Sequence, residues 1–253
     1  MSAVASRRVE QVMGLPVSVD LRDAHVPEAA VDEVFDWLRE VDARFSPFKP
    51  FSEVSQFGLG ELVEAELSAD LREVLAICVD YQHRTGGAFR AWLPGRPLDP
   101  CAVVKGWAVS RAAGLLRAHG AANFCLNAGG DVLTSGEPAP GQQWRVGIRH
   151  PELAGQVCAV LAVTDAAVAT SAAYERGEHI LDGRTGEPPR HPLLSVTVLA
   201  ADLTVADTTA TAAFALGEEG IDWAAAEPGC QVFAVRVDRT VVSSPGLPLV
   251  AGT

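Results

Sequence analysis

The stretch NFCLNAGGDVLTSG, residues 123–136, divides the chain into two unlike halves. Short apolar-rich runs flank Asn-Ala-Gly-Gly, whose glycines allow either a tight hairpin or a close approach of backbone amides to an anion. Upstream, apolar residues recur at helical spacing. Val31, Val34, Phe35, Leu38, Val41 and Phe45 follow Pro27 as one amphipathic helix. A second helix is expected from near Ser68 through Leu71, Val74, Leu75 and Cys78 to Gly86-Gly87. A third follows Pro100, buries Val103, Val104, Trp107, Ala108, Leu115 and Leu116, and ends at Gly120. Before them, VEQVMGLPVSVDL (9–21) reads as a strand, bulged or bent at Gly-Leu-Pro. Downstream, residues 144–151, 156–165, 167–175 and 193–202 read as strands, 204–217 as a helix, and 230–238 and 240–244 as closing strands. Helices early and strands late, at hairpin-like spacing, predict an α+β fold with largely antiparallel sheets and packed helices.

Composition narrows the function. The 253 residues carry 20 Lys+Arg against 32 Asp+Glu, a net charge of -12 and the wrong sign for gripping nucleic acid by its phosphates. No run of about 18 apolar residues appears, so no membrane segment is expected. The opening MSAVASRRVEQVMG lacks the apolar core of a secretory signal, and the expected location is cytoplasmic. Five scattered cysteines without a C-x-x-C pair read as reduced core residues. Neither G-x-G-x-x-G nor a Walker A sequence is present.

Four segments could carry chemistry. In TVADTTATAAFALG (204–217), Asp207 and Thr211 are four apart, which on a helix puts two hard oxygens on one face, as magnesium requires. The plain alternative is that Asp207 caps the helix. In LDPCAVVKGWAV (98–109), Lys105 lies in a first helical turn, where free amides and a cation make a phosphate site. A solvated surface lysine is the alternative. NAGGDV (127–132) is a turn or an anion cradle. In YERGEHILDGRTG (174–186), His179 is either a general base or a surface histidine.

Read together and in order, these segments resemble the ApbE family of FAD:protein FMN transferases. The resemblance runs through Met13-Gly14, FSPFKPFSEVSQF (45–57), TGGAF (85–89), LDPCAVVKGWAV, NAGGDV, ATSAAYERGEHILDGRTGEP (169–188) and VADTTATAAFALG (205–217). It implies an ApbE-like fold, related to the T-fold, as one domain over 1–253, with two intertwined lobes as the alternative organisation. It also implies an enzyme that transfers FMN from FAD to a threonine or serine of an acceptor flavoprotein, with magnesium, releasing AMP. Hydrolysis of FAD to FMN and AMP, or FAD binding without catalysis, are the other readings of the same site. By resemblance, FAD contacts fall on Met13, Phe48, Ala88, Phe89, Asp99, Lys105 and Leu181. Magnesium falls on the Ala102 carbonyl and the side chains of Asp207 and Thr211, and the catalytic role falls on His179.

Three positions depart from the family pattern. Phe48 replaces a frequent tyrosine. Arg90 stands where aspartate is common, so a hydrogen bond to the adenine or ribose end is expected to be lost or replaced. Gly183 follows Asp182 where the family has proline, which predicts a looser loop.

Overall fold

A computed structural model of the chain describes residues 6–153, 155–172 and 180–251. The first expected strand is in fact a hairpin, β1 (Ser6–Val12) and β2 (Leu15–Leu21), in register from Val12 opposite Leu15. Met13 and Gly14 both take positive φ, 57° and 73°, as a tight two-residue reversal demands. Glycine does so freely, whereas methionine adopts that region only under constraint from its surroundings. The reversal therefore falls at Met13-Gly14, just ahead of the Leu-Pro that suggested a bend.

The helices follow the apolar spacing. Helix α1 (Glu28–Phe45) buries every apolar position assigned to its stripe. A short helix not foreseen, α2 (Glu53–Gly58), starts where Ser52 accepts the Ser55 N–H. Helix α3 (Ala69–Arg84) is capped by Ser68, whose hydroxyl accepts the Leu71 N–H. Helix α4 (Cys101–Ala118) follows Pro100. Helix α5 (Leu203–Leu216) ends at Gly217, φ 78°, where the sequence placed its end, and α6 (Glu218–Ala226) begins at once, a second helix that was not foreseen.

Strands β3 (Phe124–Ala128) and β4 (Asp131–Ser135) form the hairpin of the opening stretch, Ala128 opposite Asp131, with Gly129 and Gly130 at positive φ. The remaining strands are β5 (Trp144–Arg149), β6 (Val157–Val163), β7 (Ala167–Ala172), β8 (Leu193–Ala200), β9 (Gln231–Arg236) and β10 (Val241–Ser243). Eight of them make one antiparallel sheet in the order β1-β2-β3-β4-β7-β8-β9-β10, and β5 pairs with β6 apart from it. Successive strand residues point to opposite faces. Ala167 and Ala169 of β7, Val196 and Val198 of β8, and Val232 and Ala234 of β9 face the helical core. Val168, Leu199, Phe233 and Val235 face a second cluster with Trp144, Ile148 and Leu161 of the β5–β6 hairpin. A sheet covered on both sides explains why these strands read as continuous apolar runs.

Helix α5 lies between α4 and strands β7 and β8. It is buried around most of its circumference, including Asp207, Thr208 and Thr209, so small side chains are the ones that fit. The closest approach is at Gly106 of α4. A Cβ there would run into the Leu203 carbonyl, 2.9 Å from its carbon and 3.0 Å from Asp207 Cβ. Gly114, two turns on, has nothing within 4 Å of such a Cβ.

These two glycines should therefore respond oppositely to alanine. Gly106→Ala should destabilise the protein by about 1–3 kcal/mol through overpacking. Gly114→Ala should stabilise it by about 0.5–1 kcal/mol through helix propensity alone. Urea unfolding of both variants checks this; equal responses would contradict the close helix contact.

Candidate active site

At the α4–α5 contact, three charged side chains from three elements meet. Asp207 sits in the second turn of α5, and the helix is capped by Asp202, whose Oδ1 accepts the N–H groups of Thr204 at 2.8 Å and Val205 at 3.3 Å. The capping alternative for Asp207 is thereby excluded. Its Oδ2 accepts the Gly106 N–H at 3.0 Å, and its Oδ1 lies 3.2 Å from Lys105 Nζ. In a regular helix the Gly106 amide is directed at the Ala102 carbonyl; here the carboxylate engages it as well. Lys105 also pairs with Asp131, the first residue of β4, whose other oxygen accepts the Thr170 N–H at 2.9 Å. Lys105 is thus no solvated surface lysine: its ammonium joins two carboxylates that are each about 95% buried, with 25% of its own side chain exposed.

The electrostatics follow from that count. Burial works to lower the Lys105 pKa, but Asp207 and Asp131 outweigh it and hold the ammonium above its ordinary value. Asp207 is pushed up from the usual carboxylate range, first by burial and then by the like charge of Asp131, against the opposing pull of Lys105 and the Gly106 amide. Two carboxylates share one ammonium. Asp131 Oδ2 is buried and, among the described residues, is met by the Lys105 ammonium alone.

Thr211, one turn beyond Asp207, exchanges a 3.1 Å hydrogen bond with Ser171 of β7. The Ala102 carbonyl, in the first turn of α4, accepts a long 3.4 Å bond from Thr208. These groups open onto a cleft of about 780 Å³. Among the residues singled out from the sequence, Met13, Phe48, Phe89, Asp99, Ala102, Lys105, Leu181, Asp207 and Thr211 all line it. Phe48 stands 85% exposed at the cleft, a bare ring available to stack. Asp99 closes the start of α4 by accepting the Cys101 N–H at 3.0 Å. The turn residues Gly129 and Gly130 line the cleft too, so NAGGDV is both a hairpin and part of the wall. Ala88 is fully buried and is not among the lining residues. His179 lies outside the described residues.

The loop after it departs from expectation. The Gly183 N–H donates to the Ala88 carbonyl at 2.8 Å, a bond that proline could not make. A Cβ at 183 would run into the Gly87 carbonyl and come within 2.6 Å of Arg90 Cβ. Asp182 braces the same loop: its amide donates to Glu187 O at 2.9 Å, and its carboxylate holds the Arg184 guanidinium. Those bonds to Arg184 keep its pKa low although burial works to raise it. Glycine at 183 thus permits a close, hydrogen-bonded contact, and the looser loop is not what forms.

A larger depression of about 1040 Å³ lies over α3 and α4, but its walls hold none of the candidate residues. Its cations are already committed, Arg84 to Asp80 and Arg111 to Glu73.

Two members of the charged cluster, Gly106 and Asp131, were not singled out from the sequence. A glycine inside an otherwise good helix carries a propensity cost that signals close packing. Asp131 was hidden within a turn motif whose glycines accounted for it.

Comparison with known proteins identifies relatives of the chain and of its fold. The model of the ApbE family matches residues 13–94 and 90–234. The chain is 27% identical over 255 residues to an FAD:protein FMN transferase of Haemophilus influenzae, covering 76% of this chain and 74% of that protein. It is 34% identical over 171 residues to one of Treponema pallidum, covering 60% and 47%. Solved structures share the fold: the flavin transferase ApbE of Vibrio cholerae has a TM-score of 0.82 at 22% identity over 96% of this chain and 98% of that one. The ApbE protein of Thermotoga maritima has 0.85 at 21% identity over 96% and 97%.

Removing the ammonium tests the charge count. Lys105→Met should cost about 3 kcal/mol or more near pH 8, because two buried carboxylates would face each other unpaired. A carboxylate whose folded pKa is raised destabilises the protein above that pKa, and the penalty is relieved as pH falls through it. Urea unfolding should therefore show the deficit shrinking toward pH 5. A deficit equal at both pH values would mean that the loss is packing, not charge.

Proposed function

The chain belongs to the ApbE family, and we propose from this that it transfers the FMN half of FAD to a threonine or serine hydroxyl of an acceptor flavoprotein, releasing AMP. The observation that carries the reading is the Lys105 bridge between Asp131 and Asp207 in the wall of a cleft, with Ala102 and Thr211 beside it.

The residues fit a magnesium ion. The Asp207 carboxylate, the Thr211 hydroxyl and the Ala102 carbonyl are hard oxygens from adjoining turns of two packed helices. The carboxylates outnumber their ammonium, so a further cation relieves a buried charge. Among the described residues no cluster of three or more Asp, Glu, His or Cys side chains is poised for a metal. Few protein ligands suit magnesium, which keeps water and substrate phosphates in its remaining positions. Bound there, it supplies neutralisation of the charge on the pyrophosphate oxygens.

The chain's own groups divide the remaining work. Phe48, with its exposed ring, and Met13 offer apolar contact to the flavin, and Phe89 and Leu181 complete that wall. Lys105 fixes the orientation of Asp207. The acceptor hydroxyl attacks the FMN phosphorus in line, the bridging P–O bond breaks, and AMP departs with the electron pair. His179, next in sequence to the cleft residues Ile180 and Leu181, takes the hydroxyl proton. Water in the acceptor's place gives FMN and AMP by the same displacement.

The test is an incubation with FAD, magnesium and a flavin-binding acceptor domain, read by the intact mass of the acceptor and by AMP. An added FMN is expected; AMP without it would make the protein a hydrolase, and neither product would leave only binding. Asp207→Asn should abolish most of the turnover, with partial recovery at raised magnesium. His179→Ala should slow transfer by about 10²–10⁴-fold while FAD affinity holds. A fully active His179→Ala protein would remove the base.

A further inference from the structure

We infer that Arg90 is a substrate-specificity residue, receiving a phosphate of the dinucleotide; this rests on the proposed function. Many arginines of this acidic chain face a carboxylate, among them Arg8, Arg44, Arg84, Arg111, Arg184 and Arg236; among the described residues Arg90 does not. Arg90 lines the cleft and is half-buried, and its Nε is buried without any hydrogen-bond partner. An unsatisfied N–H on a guanidinium is costly to bury, and it persists where a ligand later satisfies it.

The surroundings present Arg90 deliberately. Gly183 leaves room for its stem, since a Cβ there would come within 2.6 Å of Arg90 Cβ. Gly87, at φ 88°, lies beneath the guanidinium, 3.5 Å from Nη2 to where a Cβ would stand. Arg184 approaches the same glycine, but its charge is met by Asp182 at 2.9 Å and Glu219 at 3.4 Å. Arg184 is thus neutralised within its loop and the neighbouring Arg96 gives an N–H to the Gly186 carbonyl at 3.2 Å, whereas among the described residues no carboxylate pairs with Arg90 and its Nε has no acceptor.

A phosphate is the anion that fits. Lys105 is engaged by two carboxylates, so it brings no net positive charge to a substrate whose pyrophosphate carries about two negative ones. A divalent cation bound beside Asp207 reverses the local balance by one charge in favour of the substrate, and Arg90 supplies the second. A guanidinium meets phosphate oxygens through two parallel N–H bonds, with a geometry that an ammonium lacks. The competing occupant is a carboxylate of the acceptor protein; the phosphate is favoured because Arg90 shares the cleft with Lys105, Asp207 and Thr211, where the dinucleotide is proposed to lie.

Flavin titrations separate the possibilities. FAD, FMN and riboflavin are titrated into the wild-type chain, Arg90→Gln and Arg90→Lys, in the presence of magnesium, with melting temperatures measured alongside. Arg90→Gln should weaken FAD binding about 10–100-fold, the scale of a lost charged hydrogen bond, and leave riboflavin unchanged; Arg90→Lys should recover part of the loss. Equal losses for FAD and riboflavin would make the residue structural and overturn the inference. Unchanged FAD affinity with a raised KM for the acceptor would assign Arg90 to the acceptor instead, and also overturn it. A wild-type chain that binds riboflavin as tightly as FAD would instead sink the proposed function itself.

Discussion

The contact between α4 and α5 at Gly106 is the constraint on which the site depends. With no side chain at 106, the α5 backbone closes onto α4, and Asp207 comes near enough to accept a hydrogen bond from the Gly106 amide. That one bond fixes the carboxylate, and the neighbouring Lys105 then reaches both Asp207 and Asp131. Packing and electrostatics are one event here: the alanines and threonines that let α5 sit between α4 and the sheet also leave its single carboxylate without water. A buried acid is tolerable only where it is paired, and the pairing spans two helices and a strand.

The sheet delivers the third partner. Asp131 emerges directly from the β3–β4 turn, so its position is set by the hairpin register that pairs Ala128 with Asp131. Because Phe124, Leu126 and Ala128 of β3 are buried while Cys125 and Asn127 between them are only half-buried, a slip by one residue would turn the buried set out of the core and is disfavoured. Strand register thus holds a charge in place as firmly as the helix contact does.

Much of this was legible in the sequence, for physical reasons that differ by element. Helix α1 could be read because its apolar residues are confined to one stripe and its other face meets water. Helix α5 could be placed only by its small residues, since a helix buried on most sides loses its periodic signal. The β1–β2 turn was misread because methionine is an unexpected occupant of a left-handed position, and Gly14 next to it was assigned to a bend. Asp207, Thr211 and Lys105 could be picked out as residue types, but the meeting of Lys105 with Asp207 depended on Gly106 and on Asp131, which lies 26 residues after Lys105 and 76 before Asp207, long-range contacts that local spacing does not encode. The end of α5 at Gly217 was legible, but α6 was missed: it starts directly after that glycine and is only nine residues long, too short for a clear apolar stripe.

The contact of Gly183 with Arg90 and the Gly87 carbonyl also makes this glycine a steric lock on the loop. With Arg90 packed against it and the Ala88 carbonyl bonded to its amide, Gly183 cannot be exchanged alone for a residue carrying a side chain, nor for one lacking an N–H. Since the Gly87 carbonyl and the Cβ of residue 90 both occupy the space a side chain at 183 would need, any larger residue there requires the loop itself to move, whatever side chain stands at 90.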